Sequence, residues 1–404
     1  MLRQTAAVLA VLLASALPTA VSAAGHEPEL PSPATPAVFG AYYPGGSAER
    51  YPVAAIPADR LTHVFYAFST ISDGRCVVGA EAPANFTALA ELKRVHPHLR
   101  TLISIGGWNA GGFSDAALTV ASRRRFVDSC MALFFDRHAG SFDGVDIDWE
   151  FPVSGGPKEI AHRPQDRDNL TRLARDFRAA LDARSGKVGH PLLLTAALAA
   201  GRLQTDGPYD PAASYDLPAL AQVLDFINVM SYDMGTGFSP VSTFNAPLNA
   251  VDVDPLAPAL RRWNNVAGAV QYYRDHGVPA DKLVLGVPFY GRGFKLTGDA
   301  ADGLFQPYSA PADAGDWRSI KQRYLGQPGW TQHWQPQAQS PWLYNAAEKI
   351  MISYEDPRSI ALRAHFARSQ GLRGVFMWEL TGDDAQGSLL RAMLAPYDDK
   401  YPGD

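Results

Sequence analysis

Eight short apolar runs rich in β-branched and aromatic residues recur along the chain, at 38–42, 62–68, 100–105, 144–149, 192–198, 226–231, 283–289 and 374–378. Most are continuous rather than alternating, which predicts strands covered on both faces, as in a parallel sheet. Between them, the stretches 85–95, 123–137, 166–184, 259–276 and 358–370 carry apolar residues at helical spacing, and a final helical pattern lies at 386–396. Strands alternating with helices predict parallel βαβ units. Eight such units predict an α/β fold, a closed (β/α)8 TIM barrel, with a doubly wound sheet as the competing arrangement. The spacing breaks once, because about 85 residues separate the seventh and eighth strands and contain Trp317, Tyr324, Trp330, Trp334, Trp342 and Tyr344. That is more aromatic surface than one helix can use, so a small α+β insertion is expected between strands 7 and 8, over residues 295–355.

The chain opens with a different pattern. Arg3 precedes an apolar run from Ala6 to Leu17, then Pro18 and the small residues Val21-Ser22-Ala23-Ala24. A basic start, an apolar run too short to span a bilayer and a small-x-small ending predict a secretory signal peptide over residues 1–24, hence export to the extracellular space or periplasm with no membrane anchor after cleavage. Residues 25–36 follow as a proline-rich lead-in, and the barrel is expected over 37–400.

With 36 basic against 41 acidic residues the net charge is −5, and no basic run is interleaved with aromatics, so nucleic acid is not an expected partner. Cys76 and Cys130 are the two cysteines. They are too few for a disulfide scaffold or a thiolate metal site. Export permits a bridge between them, while the helical pattern around Cys130 is equally consistent with a buried small hydrophobe. Asn85-Phe86-Thr87 and Asn169-Leu170-Thr171 match the glycosylation sequon.

The fourth strand carries the chemistry, in the run Asp143-Gly144-Val145-Asp146-Ile147-Asp148-Trp149-Glu150. Strand alternation puts Asp146, Asp148 and Glu150 on one face and Val145, Ile147 and Trp149 on the other. With the apolar set packed on the helices, the acids point into the barrel and climb toward its C-terminal end, where barrel active sites lie. Three ionised acids so placed would be too costly, so at least one holds a proton at neutral pH and serves as an acid. Glu150, outermost, is the natural proton donor, and Asp148 is positioned to share a proton with Asp146. Coordination of a divalent metal is the alternative use of such acids, but no His accompanies them and no HExxH occurs.

These residues form an unbroken DxxDxDxE motif as Asp143, Asp146, Asp148 and Glu150. With Ser104-Ile105-Gly106-Gly107, Met230-Ser231-Tyr232-Asp233, the run from Pro288 to Arg292 and Trp378, the chain resembles family 18 glycoside hydrolases, the chitinase family, over nearly all of its mature length. The insertion looks like that of the larger bacterial-type chitinases. The resemblance implies hydrolysis of β-1,4 bonds in chitin and N-acetylglucosamine oligosaccharides by a monomer without cofactor or metal, retaining configuration because the substrate's own acetamido oxygen attacks the anomeric carbon. It implies Glu150 as acid and then base. Asp148 would orient the acetamido group, Asp146 and Ser104 would tune Asp148, and Tyr232 would donate to the acetamido oxygen. It implies sugar contacts for Asp233, Met230, Tyr42, Phe68, Tyr290 and Arg292, with Trp378 as the floor under the reacting sugar and Trp108 as a stacking platform on the leaving side. Phe238 would extend that side. Asp143, Gly144, Gly106 and Gly107 support the motif.

Three other functions share parts of this pattern. A lectin of the same fold would keep the aromatics but lose Glu150. An endo-β-N-acetylglucosaminidase acting on N-glycans shares the acidic motif but tends to lack the insertion. A metal-dependent barrel hydrolase would lose activity to a chelator.

Overall fold

The structure, a computed structural model, describes residues 36–398. The export signal and nearly all of the proline-rich lead-in lie outside the described residues.

Eight parallel strands close on themselves: β1 (Val38–Pro44), β2 (His63–Ser72), β3 (Arg100–Gly106), β4 (Gly144–Asp148), β5 (Leu193–Ala199), β6 (Phe226–Met230), β7 (Leu283–Pro288) and β8 (Gly374–Trp378). Each neighbours the next in the barrel, and β8 pairs with β1 through Val38↔Gly374 to Ala41↔Met377. The (β/α)8 barrel therefore stands, and the doubly wound alternative falls. Apolar continuity is the reason: Val145 and Ile147 of β4 are buried against the outer layer, and Trp149 stacks on Phe113 at 5.1 Å. The inner positions of the same strand remain free for the acids.

The helices fall close to their expected places, with two local departures. The expected helix at 259–276 is two helices, Pro258–Trp263 and Val266–Asp275, because the Asn265 side chain accepts from the Gly268 N–H and caps the second. The helix Val120–Met131 runs on through a π-helical segment, Ala132–Arg137. Among the described residues, no helix is long and apolar enough to cross a membrane.

The insertion between β7 and β8 is a five-stranded antiparallel sheet in the order Tyr308–Ala312, Arg292–Leu296, Ile350–Ser353, Ser340–Asn345, Trp330–Gln335, with the helix Trp317–Arg323 beside it. Phe294, Leu304, Trp342, Tyr344 and Met351 build a small core of its own. The tryptophans are used structurally: Trp317 stacks on Tyr354, Trp330 packs on Tyr324, and Trp334 lies under the Arg358 guanidinium. The buried Arg363 ties this unit to the barrel, reaching Glu355, Ser340 and the carbonyl oxygen of Ala246.

Both sequons are closed to a glycan. The Asn85 amide donates to the Gly45 carbonyl oxygen and the Tyr66 hydroxyl, and the buried Asn169 amide donates to Asp166 one turn earlier in the same helix. The two cysteines form a disulfide that joins the short strand Arg75–Val77, hairpin partner of β2, to the helix Val120–Met131. Closing 54 residues of chain removes unfolded-state entropy equivalent to about 4 kcal/mol in the loop-entropy model. Replacing both Cys76 and Cys130 by Ser is therefore expected to lower the thermal midpoint by several degrees while leaving the barrel's circular dichroism unchanged. An unaltered midpoint would show that the bridge contributes nothing to stability.

Candidate active site

The C-terminal ends of the strands open into a cleft of about 1020 Å³, lined by Asp148, Glu150, Tyr232, Asp233, Trp108 and Trp378 among others. Along β4 the acids stand at rising height. Asp143, just before the strand, is at the opposite end of the barrel from the cleft. It accepts from the Thr101 N–H at 2.9 Å and pairs with Lys93 at 2.9 Å.

Asp146 sits in one layer with Ser104 and Thr195, its register partners on β3 and β5. Its Oδ2 accepts from Tyr42 Oη at 2.8 Å and Ser104 Oγ at 2.7 Å, and its Oδ1 accepts from Thr195 Oγ1 at 2.6 Å and Asn228 Nδ2 at 3.4 Å. Burial still raises its pKa, and these four donors pull it back. Asp148 differs: its Oδ1 is buried without any partner. Burial first, then the charges of Glu150 and Asp146, push its pKa well above the carboxylate range. The hydrogen bond expected between Asp148 and Asp146 is absent in this arrangement, because the Asp146 oxygens are already taken by the four donors.

Glu150 lies just beyond the end of β4 and lines the cleft. Burial, and then the charge of Asp233, push its pKa to about 8, so it holds a proton at neutral pH. The turn above β3 is shaped to this strand end. Gly106 has φ +124°, and a Cβ there would overlap the Asp148 carbonyl oxygen, so only glycine lets β3 and β4 meet.

Asp233 adopts φ +56° and accepts on Oδ1 from Tyr290 Oη at 2.7 Å and from Arg292 Nε and Nη2 at 2.7 and 2.6 Å. Tyr290 lies past the end of β7, while Arg292 opens the first strand of the insertion. Tyr232 and Met230 are nearly buried in the cleft wall, and burial holds the Tyr232 phenol protonated. Trp378 ends β8 and is braced beneath by Phe68 at 5.6 Å and Tyr42 at 5.6 Å. Trp108 and Phe238 stand at the rim, 37% and 46% exposed, with ring centroids 6.3 Å apart. Ser104, Gly106, Gly107 and the acids thus converge on one place, and Gly144 shares the Asp143 end of β4.

Several residues of the site were missing from the sequence reading. Thr195 and Asn228 hold Asp146, and their signal was present: each is a polar residue on the inner face of an otherwise apolar strand. The insertion contributes Phe294 and the stretch from Pro311 to Gly315 to the cleft wall, in place of its tryptophans. Gln204 also lines the cleft.

The raised Glu150 pKa is also a statement about stability. Its value in the fold lies above the ordinary 4.5 of a glutamate, so the folded state holds the proton more tightly than the unfolded chain. The stability tied to that proton is full below pH 4.5 and is lost as pH rises through about 8. Glu150→Gln cannot titrate, so its thermal midpoint relative to the parent protein is expected to rise steadily between pH 5 and pH 8.5. Parallel midpoint-against-pH curves would place Glu150 at an ordinary pKa.

Comparison with known proteins agrees with this geometry. The chain is 40% identical over 311 residues to chitinase A1 of Niallia circulans, covering 74% of this chain and 43% of that one; it therefore spans under half of that relative's length. Among solved structures, chitinase ChiA74 of Bacillus thuringiensis superposes with a TM-score of 0.79 at 30% identity, covering 91% of this chain and 71% of the other. A family 18 N-acetylglucosaminidase from Paenibacillus barengoltzii superposes with a TM-score of 0.77 at 30% identity, covering 88% and 98%. The model of one family matches residues 38–383, from the first residue of β1 to beyond the end of β8, and so takes in every acid described above. By that match and by its acid-lined barrel mouth, the chain belongs to the glycosyl hydrolases family 18.

Proposed function

We propose that this chain hydrolyses β-1,4 bonds between N-acetylglucosamine units of chitin, with retention, using the substrate's acetamido oxygen as nucleophile. The observation that carries the reading is the contrast between the two inner acids: Asp146 is satisfied by four donors, whereas Asp148 presents a buried oxygen with no partner next to a proton-bearing Glu150. A carboxyl oxygen in that position needs a donor from outside the protein, and an acetamido N–H supplies one.

In this mechanism Glu150 protonates the glycosidic oxygen as the bond breaks, and then takes a proton from the water that opens the oxazolinium ion. Asp148 accepts from the acetamido N–H on its unpartnered oxygen and orients the group for attack. Tyr232 donates its protonated hydroxyl to the acetamido oxygen. Asp233, fixed by Arg292 and Tyr290, contacts sugar hydroxyl or acetamido groups and, as a charge, keeps the proton on Glu150. Trp378 floors the reacting sugar, and Trp108 with Phe238 carries the sugars of the leaving side. Tethering the nucleophile to the substrate gives it a high effective molarity without a second protein carboxylate. The export pattern at residues 1–24 supports action outside the cytoplasm.

Two outcomes test the reading. Glu150→Gln is expected to lose hydrolysis of N-acetylglucosamine hexamer by several orders of magnitude while still binding the hexamer, since the proton is needed in the transition state and the aromatic surfaces bind the ground state. A variant keeping a tenth of the parent kcat would place the acid elsewhere. On partially deacetylated chitosan, every new reducing end should carry N-acetylglucosamine, and a thiazoline analogue of the intermediate should inhibit. Glucosamine at the new reducing ends as often as N-acetylglucosamine would make a protein carboxylate the nucleophile.

A further inference from the structure

Gln204 lies in the short hairpin Leu203–Pro208 that follows β5, and its side chain lines the cleft although the residue is only 9% exposed. A carboxamide carries two donor hydrogens and an acceptor oxygen, so one facing the cleft can bond a ligand as donor and as acceptor. Buried asparagines nearby donate their amides within the protein, Asn228 to Tyr42 and Asn264 to the Met234 carbonyl oxygen. Among the described residues, the Gln204 side chain makes no hydrogen bond within the protein.

The hairpin holds this unpaired group rigidly against the backbone of the acid. Thr205 Oγ1 donates to the Gly156 carbonyl oxygen at 2.5 Å, Asp206 Oδ2 accepts from the Gly155 N–H at 3.0 Å, and Tyr209 packs on the Phe151 ring at 5.5 Å. Gly156, at φ +74°, lies so close to the Glu150 carbonyl oxygen that a Cβ there would overlap it. Phe151, the residue after Glu150, makes ring contacts with both Trp108 and Tyr209, and Gly155 is packed between it and the Gln204 side chain. Gln204 therefore stands beside Phe151, the ring that meets Trp108, at a position set by three contacts of its hairpin.

We propose that Gln204 is a substrate-binding residue, hydrogen-bonding a hydroxyl or acetamido group of the sugar on the leaving-group side of Glu150. This rests on the chitin reading above. A sugar polar group would pair the carboxamide where the protein does not, and the rigid hairpin means little ordering is needed on binding.

Gln204→Leu in the full chain tests it, with kcat/KM measured on N-acetylglucosamine tetramer to hexamer and on an aryl chitobioside, whose leaving group has no hydroxyl or acetamido group to offer. The expected result is a loss of about five-fold or more on the oligomers, less than two-fold change on the aryl substrate, and partial recovery in Gln204→Glu, which keeps an acceptor. Equal losses on both substrates would make Gln204 a structural residue, and unchanged oligomer kinetics would also overturn the proposal. If the parent enzyme failed to cleave the oligomers, the chitin reading would fail and this proposal with it. Normal parent cleavage with unaltered Gln204→Leu kinetics would remove this proposal alone.

Discussion

A carboxylate in the interior of a barrel is costly unless its lone pairs are used, and Asp146 uses them across four strands at once. Tyr42 from β1, Ser104 from β3, Thr195 from β5 and Asn228 from β6 all donate to it, and Asn228 also donates to Tyr42 at 3.1 Å. Hydrogen bonds to a charged acceptor contribute about 1.5–3 kcal/mol each, enough together to offset much of the desolvation. The register of half the barrel is thereby tied to one side chain. Moving any of these strands by one residue would turn a donor away from the interior and leave the carboxylate short.

The rest of the site follows from what happens above that anchor. Climbing β4, satisfaction gives out at the top: Asp143 has Lys93 and a backbone N–H, Asp146 has four donors, and Asp148 has an oxygen with none. Negative charge fixed low on the strand makes a second charge higher up expensive, so protons collect at Asp148 and Glu150. Asp233, just past the end of β6, adds to this at Glu150. It is held by Arg292, which the insertion supplies, so the insertion acts on the acid through charge as well as by walling the cleft. Stability and reactivity are in this sense opposed along one strand, and the fold places the unsatisfied end where a ligand can reach it.

The parts legible from sequence are those whose signal is local. Continuous apolar runs mark β1 to β8, and the alternation within residues 143–150 puts the three acids on one face without reference to the rest of the chain. What escaped depends on contacts between distant segments. Nothing near Cys76 shows that the hairpin of β2 returns to the helix bearing Cys130. The tryptophans of the insertion are equally suited to a cleft wall and to a small core, and the choice depends on which face of a sheet they occupy. Asn85 and Asn169 carry a surface motif yet lie buried, because three residues of sequence do not report tertiary packing. Gln204 has no signature at all: an exposed glutamine and one held unpaired in a wall read alike.

The aromatic residues of the cleft divide by support rather than by type. Trp378 rests on Phe68, and Tyr42 packs against both Phe65 and Trp378 while its hydroxyl is bonded to Asp146, so the floor is continuous with the barrel's polar anchor. A surface built this way cannot tilt without disturbing the carboxylate, which suits a subsite that must impose one sugar geometry near the acids. Trp108 and Phe238 are much more exposed; Trp108 touches Phe151 edge-on and packs tilted against Phe238. Rings with few buried neighbours leave area open for stacking. On the proposed reading the barrel sets a braced ring under the reacting sugar and more open rings toward the leaving side, and the difference comes from how many buried neighbours each ring has.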